Sequence, residues 1–241
     1  MKNILILGCG RSGTSIFGEF FKHLKPYSYL SEPPFSSLLN WDYSKPLAVK
    51  VPREDAKLKA DDGLSFPLDV LLSHFKEPYQ IYWQVRHPLD TICSLKVGIS
   101  KNWGHHPRPL DWESWLKEPL IKQCAHHWNY LNTIGFSRVK SLVKIKYFED
   151  MLSDSLAFAN LIAEEVGADV MQNKSAILKW ANRVQDKNNK DFIEAETSRP
   201  YSTNDHKVKV GRWQENLTQE ELDMALPIIQ NTARTFGYKL P

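Results

Sequence analysis

Residues 2 to 15, KNILILGCGRSGTS, constrain the fold more than any other stretch of the chain. Lys2–Leu7 is a short apolar run that predicts a buried strand, and Gly8, Gly10 and Gly13 break it into a tight loop. From Ser12 through Lys25 a helix is expected, because Ile16, Phe17, Phe20, Phe21 and Leu24 recur at helical spacing. Strand, glycine-rich loop and helix together make an anion-binding device. Free backbone N–H groups and the positive helix end converge on one point, which suits a phosphate or a sulfate.

The spacing Gly8-x4-Gly13, followed by Thr14 and Ser15, is that of the Walker A pattern G-x-x-x-x-G-K-[ST] with one change. Thr14 stands where the lysine that reaches the β/γ-phosphates belongs, and the basic residue is Arg11 instead. Such a loop suits a phosphate ester better than a nucleoside triphosphate with its Mg²⁺. RSGTS after a first strand resembles the 5′-phosphosulfate loop of sulfotransferases that use 3′-phosphoadenosine 5′-phosphosulfate (PAPS). The continuation RSGTSIFGEFF, then YLSEPPF, is similar to the carbohydrate sulfotransferase branch. The resemblance implies a P-loop-NTPase-like three-layer α/β fold with a mostly parallel central sheet flanked by helices. It also implies that Gly10, Arg11, Ser12, Gly13, Thr14 and Ser15 hold the 5′-phosphosulfate.

With 241 residues, 42% hydrophobic and 24% charged, the chain has the composition of one globular α/β domain, taken as 1–241. A net charge of +3 gives no argument for nucleic acid, and it is compatible with an anionic cosubstrate. Cys9, Cys93 and Cys124 form no C-x-x-C pair, so neither a disulfide framework nor a zinc site is expected, and a reducing compartment is the simpler reading. The chain opens on its first strand with no signal-like segment and no run of 18 apolar residues. Animal Golgi relatives carry a membrane anchor and stem, so the resemblance implies a cytoplasmic, bacterial-type enzyme; an excised catalytic domain would read the same.

Further along, Pro26–Asn40 reads as a polar loop, with Glu32 held extended by Pro33 near the mouth of the first loop. Leu47–Val51 and Gln80–Val85 are further strands, and the second of them delivers Arg86 to its carboxyl end, where ligands of open α/β sheets collect. Helices are expected over Pro67–Phe75, from about Pro88, over Ile121–Gly135, near Leu156–Val166 and over Lys174–Asp186, with a fourth strand at Leu142–Lys146. An insertion or lid is expected over about 100–119 and a mobile loop over about 188–210. Thr218 and Glu221 make a capping box for a last helix through about Phe236, which Pro227 can kink. Strands alternating with helices give a mostly parallel sheet.

Two more stretches carry chemistry. In VRHPLDTICS, strand, Arg86, Pro88 and then Ser94 match the family's 3′-phosphate site. Arginine offers a planar fork to a phosphate and a serine hydroxyl adds another bond. KVKVGRWQENLT, Lys207 to Thr218, resembles the loop that encloses the 3′-phosphate and adenine, so Lys209, Gly211 and Arg212 are added to the cosubstrate site. The family's common Arg-Lys-Gly form is missing there. Trp213 is either a stacking platform or an anchor for the last helix, and YFEDM at Tyr147–Met151 reads as architecture.

Sulfuryl transfer needs a base for the acceptor proton and cations for the leaving oxygen. Glu32, in YLSEPPF, is the base that the resemblance implies. Lys50, in VKVPRE, matches a Lys-x-Pro pattern of relatives and either stabilises the bridging oxygen or faces solvent as a strand-end lysine; Arg53 either contacts the acceptor or decorates the surface. His105 and His106 are the runner-up bases. Adjacent histidines such as His126–His127 do not share a helix face, and no H-E-x-x-H spacing exists, so no metal is expected. The expected reaction is transfer from PAPS to a hydroxyl on a carbohydrate or glycoconjugate, leaving adenosine 3′,5′-bisphosphate (PAP). A P-loop small-metabolite kinase and a non-catalytic nucleotide-binding protein are the alternatives, and acceptor contacts are expected from loops 36–45, 100–119 and 188–206.

Overall fold

The structure is a computed structural model that describes residues 1–54, 59–101, 106–185 and 209–241. Five parallel strands form one sheet: β1 (Asn3–Gly8), β2 (Ser28–Ser31), β3 (Leu47–Lys50), β4 (Tyr79–Val85) and β5 (Val143–Tyr147), in the order β2-β3-β1-β4-β5. β1 lies at the centre, with Ile6 beside Lys50 on β3 and beside Tyr82 on β4. The strand order reverses around β1, so the carboxyl ends of β1, β3 and β4 open onto a common crevice, the usual ligand position of such sheets.

Buried parallel strands read as continuous apolar runs because both faces are covered. β1 does so by alternation: Ile4 and Ile6 join one core, Leu5 and Leu7 the other. The first core is closed by α1 (Thr14–His23), α7 (Phe148–Ser153), α8 (Ser155–Val166) and α9 (Lys174–Gln185). Phe17, Phe20 and Phe21 fill it, and the Trp180 indole donates to the Ile16 carbonyl at 3.1 Å. The second core lies beneath α2 (Phe35–Leu39), α3 (Leu68–His74) and α6 (Phe136–Val139). A third packs α4 (Pro88–Ser100), α5 (Leu120–Tyr130) and α11 (Gln219–Thr235) around Cys9, Leu89, Trp128 and Ile229. A 3₁₀ turn at Trp112–Lys117 and the short α10 (Trp213–Asn216) complete the elements.

Some boundaries differ from the sequence reading. The polar stretch after α1 contains an edge strand, β2, and the helix α2, not a loop alone. Four residues of half-buried SYLS are too short to show a period. The helix expected over Ile121–Gly135 is α5 followed by a π-helical turn at Leu131–Gly135 and then α6. There Gly135 approaches Gly63 so closely that a Cβ would lie 2.5 Å from the Gly63 carbonyl oxygen. α1 begins at Thr14, because Gly13 sits at φ +94°. Apart from Lys209 and Val210, the loop expected over 188–210 falls outside the described residues, as does His105.

Candidate functional site

The turn from β1 into α1 is shaped by two glycines that no other residue replaces without strain. At Gly8 (φ +144°) a Cβ would sit 2.3 Å from the Gln84 carbonyl oxygen, and at Gly13 it would sit 2.4 Å from Phe148 Cδ2. Arg11 takes a left-handed conformation between them, at φ +70°. Ser12 turns inward: its hydroxyl donates to the Cys9 carbonyl at 2.6 Å and its N–H to the same oxygen at 3.2 Å. It stiffens the loop through those bonds. α1 has no side-chain cap and no acidic residue in its first turn, so its positive end faces the crevice uncompensated. Burial, with Cys124 nearby, pushes the Cys9 thiol far above the usual range, which makes it an inert wall of the loop.

A second group gathers where β3 ends. Lys50 is 2% exposed, so it is not a strand-end lysine in solvent. Its ammonium donates to Ser15 Oγ at 3.1 Å and pairs with the Glu32 carboxylate. Burial lowers the Lys50 pKa, while Glu32 pulls the other way. Glu32 sits just past β2 at φ +51°, with its N–H on the Lys50 carbonyl at 2.8 Å. Pro33 does not hold it extended; the β2–β3 pairing and a left-handed turn aim it instead. Arg53 Nε donates to the Glu32 carbonyl oxygen at 2.7 Å and so belongs to this corner. Val51 adopts φ +38°, a conformation that a β-branched residue rarely takes. Strain of this kind concentrates at functional sites.

Glu32, Lys50, Arg53, Thr14 and Gly10 line a chamber of about 350 Å³, and His106 and Leu131 line it too. His106 Nδ1 lies 3.6 Å from Glu54, and burial lowers its pKa. Both described candidate bases, Glu32 and His106, therefore face one space. Past Glu54, Ser65, His106 and Pro107 an outer chamber of about 680 Å³ continues toward Asp61, Arg108 and Trp112. The Arg108 guanidinium lies over the Trp112 ring at 3.7 Å. Thus residues 106–110 and Trp112 reach the crevice, while α2, which contains part of the 36–45 stretch, packs Leu38 into the core.

On the other side of the loop, Arg86 is 4% exposed, and its guanidinium lies over the Phe148 ring at 4.3 Å. Nη1 donates to the Arg11 carbonyl at 3.3 Å and Nη2 to the Lys209 carbonyl at 2.7 Å, while the buried Nε has no hydrogen-bond partner among the described residues. Burial pulls the Arg86 pKa down to about 10, against the attraction of Asp90. Ser94 Oγ accepts from Arg11 Nε at 3.0 Å. Gly211 and Trp213 donate their N–H groups to the two Asp90 oxygens, at 2.7 and 3.0 Å, and Arg212 reaches the Cys93 thiol. Loop, β4 end, α4 and the 209–213 segment thus meet at Arg86. Trp213 stacks on His87 with ring centres 6.0 Å apart and packs on the third core, the anchoring alternative. Glu149 accepts from the His87 N–H and the Tyr238 hydroxyl, both at 2.8 Å, so YFEDM is architecture, with Phe148 as a floor under Gly13 and Arg86.

No family model matches the sequence, and no curated protein does. Solved structures do match in fold. A mouse sulfotransferase, SULT7A1, complexed with PAP is similar at a TM-score of 0.60 and 17% identity, over 97% of this chain and 84% of that one. Retinol dehydratase is similar at 14% identity over 100% of this chain and 84% of that one. Its complex with androsterone and the inactive cofactor PAP gives a TM-score of 0.57, and its complex with retinol and PAP gives 0.58. The chain has the sulfotransferase fold. Beside Arg86, Asp90 is the residue that motif reading passed over, whereas Phe148 and Glu149 fall in the YFEDM segment that it reads as architecture. Asp90 had one available signal, its place a single helical turn after Arg86. Among the described residues no three His, Cys, Asp or Glu side chains converge as a metal site, and no helix is long and apolar enough to cross a membrane.

Proposed function

We propose that this chain is a PAPS-dependent sulfotransferase that sulfates a hydroxyl of a carbohydrate or glycoconjugate. One observation carries the reading. The buried Lys50 ammonium joins Ser15, in the first turn of α1, to Glu32 on the wall of the 350 Å³ chamber. The buried, unpartnered Arg86 Nε supports the donor side, since an anionic group there would meet an orphaned cationic donor. Arg11, Thr14 and Ser15 with the loop amides of Gly10 and Gly13 hold the 5′-phosphosulfate. Arg86, Ser94, Lys209 and Arg212 hold the 3′-phosphate, Gly211 shapes the turn between the last two with its N–H on Asp90, and Ser12 stiffens the loop. When bound, PAPS supplies a sulfuryl group on a phosphate leaving group.

Glu32 accepts the acceptor's hydroxyl proton as its oxygen closes on sulfur. Lys50 places positive charge beside the oxygen that departs with the 5′-phosphate. In the ligand-free chain these two side chains pair with each other, which sets the base and the cation side by side at the chamber wall. In the outer chamber Asp61 and Arg108 offer hydrogen-bonding groups and Trp112 an aromatic face, which supports a hydroxyl-rich acceptor. Three free buried thiols, Cys9, Cys93 and Cys124, support a reducing, cytoplasmic setting.

A thermal-shift series with PAP, PAPS, ATP and GTP tests the donor. PAP without metal should stabilise the chain, by about 2.7 kcal/mol at ~100-fold its dissociation constant. Stronger stabilisation by ATP with Mg²⁺ would support a kinase instead. Sulfur-labelled PAPS offered with sugars, phenols, retinol and androsterone tests the acceptor. Transfer should fall roughly 10²–10⁴-fold in Glu32→Ala with PAP affinity kept. Label appearing on the apolar alcohols but on no sugar would overturn the carbohydrate assignment.

A further inference from the structure

Asp90 lies in the first turn of α4, fully buried, beside the cations assigned above to the donor's 3′-phosphate. By charge alone it is misplaced. An acid 3.9 Å from Arg86 Nη2 repels the anion that Arg86 is proposed to hold. Its hydrogen bonds explain its presence. Oδ2 accepts the Gly211 N–H at 2.7 Å and Oδ1 accepts the Trp213 N–H at 3.0 Å, so both oxygens are spent on one segment 121 and 123 residues away. Arg86 Nη2, next to the same carboxylate, donates to the Lys209 carbonyl at 2.7 Å. Gly211 needs its φ of +77° to bring its N–H round, and the space a Cβ would take there meets only Gln214 Oε1, at 3.6 Å. The glycine is therefore required by the turn and not by crowding.

We propose that Asp90 is a positioning residue that clamps the 209–213 segment onto Arg86, and so confers the preference for a nucleotide bearing a 3′-phosphate. The inference rests on the PAPS reading. Without the clamp, the register of Lys209 and Arg212 rests on the Arg86–Lys209 carbonyl bond, the Arg212–Cys93 contact and the Trp213–His87 stack, because the segment carries no regular element until α10. Charged acceptors of backbone N–H bonds are among the stronger hydrogen bonds, and a buried carboxylate that keeps both donors is a stable arrangement. Replacing one oxygen by an amide sets an N–H against an N–H and releases one end of the segment.

The test turns on a sign. Titration calorimetry at one salt concentration compares PAP with adenosine 5′-phosphate, which lacks the 3′-phosphate, on the wild-type chain and on Asp90→Asn. Electrostatics alone predicts tighter PAP binding once the acid is neutralised. The clamp predicts PAP at least tenfold weaker, about 1.4 kcal/mol, with adenosine 5′-phosphate unchanged. A merely structural Asp90 would lower the melting temperature and leave the ratio of the two affinities where it was. Unchanged or tighter PAP binding in Asp90→Asn overturns the clamp and leaves the donor reading intact. A wild-type chain that does not prefer PAP overturns the donor reading itself, and the clamp with it. Should Asp90→Asn not fold, Asp90→Glu decides: it keeps the charge beside Arg86, but the longer side chain displaces the carboxylate from the Gly211 and Trp213 N–H groups. The ratio of PAP to adenosine 5′-phosphate affinity should fall in that variant too, and an unchanged ratio would overturn the clamp.

Discussion

At the scale of single residues, the crevice is built from conformations that ordinary side chains avoid. Gly13 is the sharpest case, because it combines φ +94° with a Cβ position 2.4 Å from Phe148. Phe148 cannot retreat freely, since the same ring carries the Arg86 guanidinium. Gly13→Ala should therefore cost roughly 1–3 kcal/mol in urea unfolding and also weaken PAP binding. Gly237→Ala is the control: it shares a positive φ, +76°, but meets nothing within 4 Å. It should cost about 1–2 kcal/mol and leave PAP binding alone. Equal effects of the two variants on PAP would remove Phe148 from the account.

At the scale of elements, the last helix shows how a local signal fixes a boundary. Thr218 Oγ1 accepts the Glu221 N–H at 3.2 Å, and the Glu221 carboxylate accepts the Thr218 N–H at 3.1 Å. Glu221 also pairs with Lys96 of α4, which ties this cap to the helix that bears Asp90. Thr218→Ala should lower stability by about 1 kcal/mol in urea unfolding, within a range of roughly 0.5–2. A change under a few tenths would mean that the Lys96 contact alone holds the end. That helix was legible from residues 218 to 236, and so were β1, β3 and β4, because capping, glycine breaks and apolar runs are local. What escaped had its cause elsewhere in the chain. β2 is a strand through its pairing with β3, and Glu32 is aimed by a left-handed turn that no neighbour announces. The π turn at Leu131–Gly135 lies where Gly135 meets Gly63, more than seventy residues earlier. Motif reading named Arg86 and Ser94 but not Asp90, whose partners lie 121 and 123 residues on.

At the scale of the whole molecule, acid should be the weak side. Burial pushes Glu165 upward, but hydrogen bonds from Lys146 and Tyr82 and the charges of Lys146 and Lys144 outweigh it and hold its pKa below 4.5. Such a carboxylate contributes stability that is present above its unfolded value and lost as pH falls through the folded one. Burial lowers His87, His106 and His126 below 6.5, so the unfolded chain binds their protons first and stability also drops as pH falls through that range. Melting temperature should therefore decline from pH 7 toward pH 4, and Glu165→Gln should flatten the part of the curve below about pH 4.5. A curve that rises toward acid would contradict both contributions.

Arg11, Glu32 and Val51, three side-chain-bearing residues in left-handed backbone, all border the crevice. A library of this chain sorted for heat resistance alone would gather glycine or asparagine at these three positions, because relief there is local and immediate. The survivors would be sturdier and slower, and their sequences would trace the outline of the crevice without any ligand having been tried.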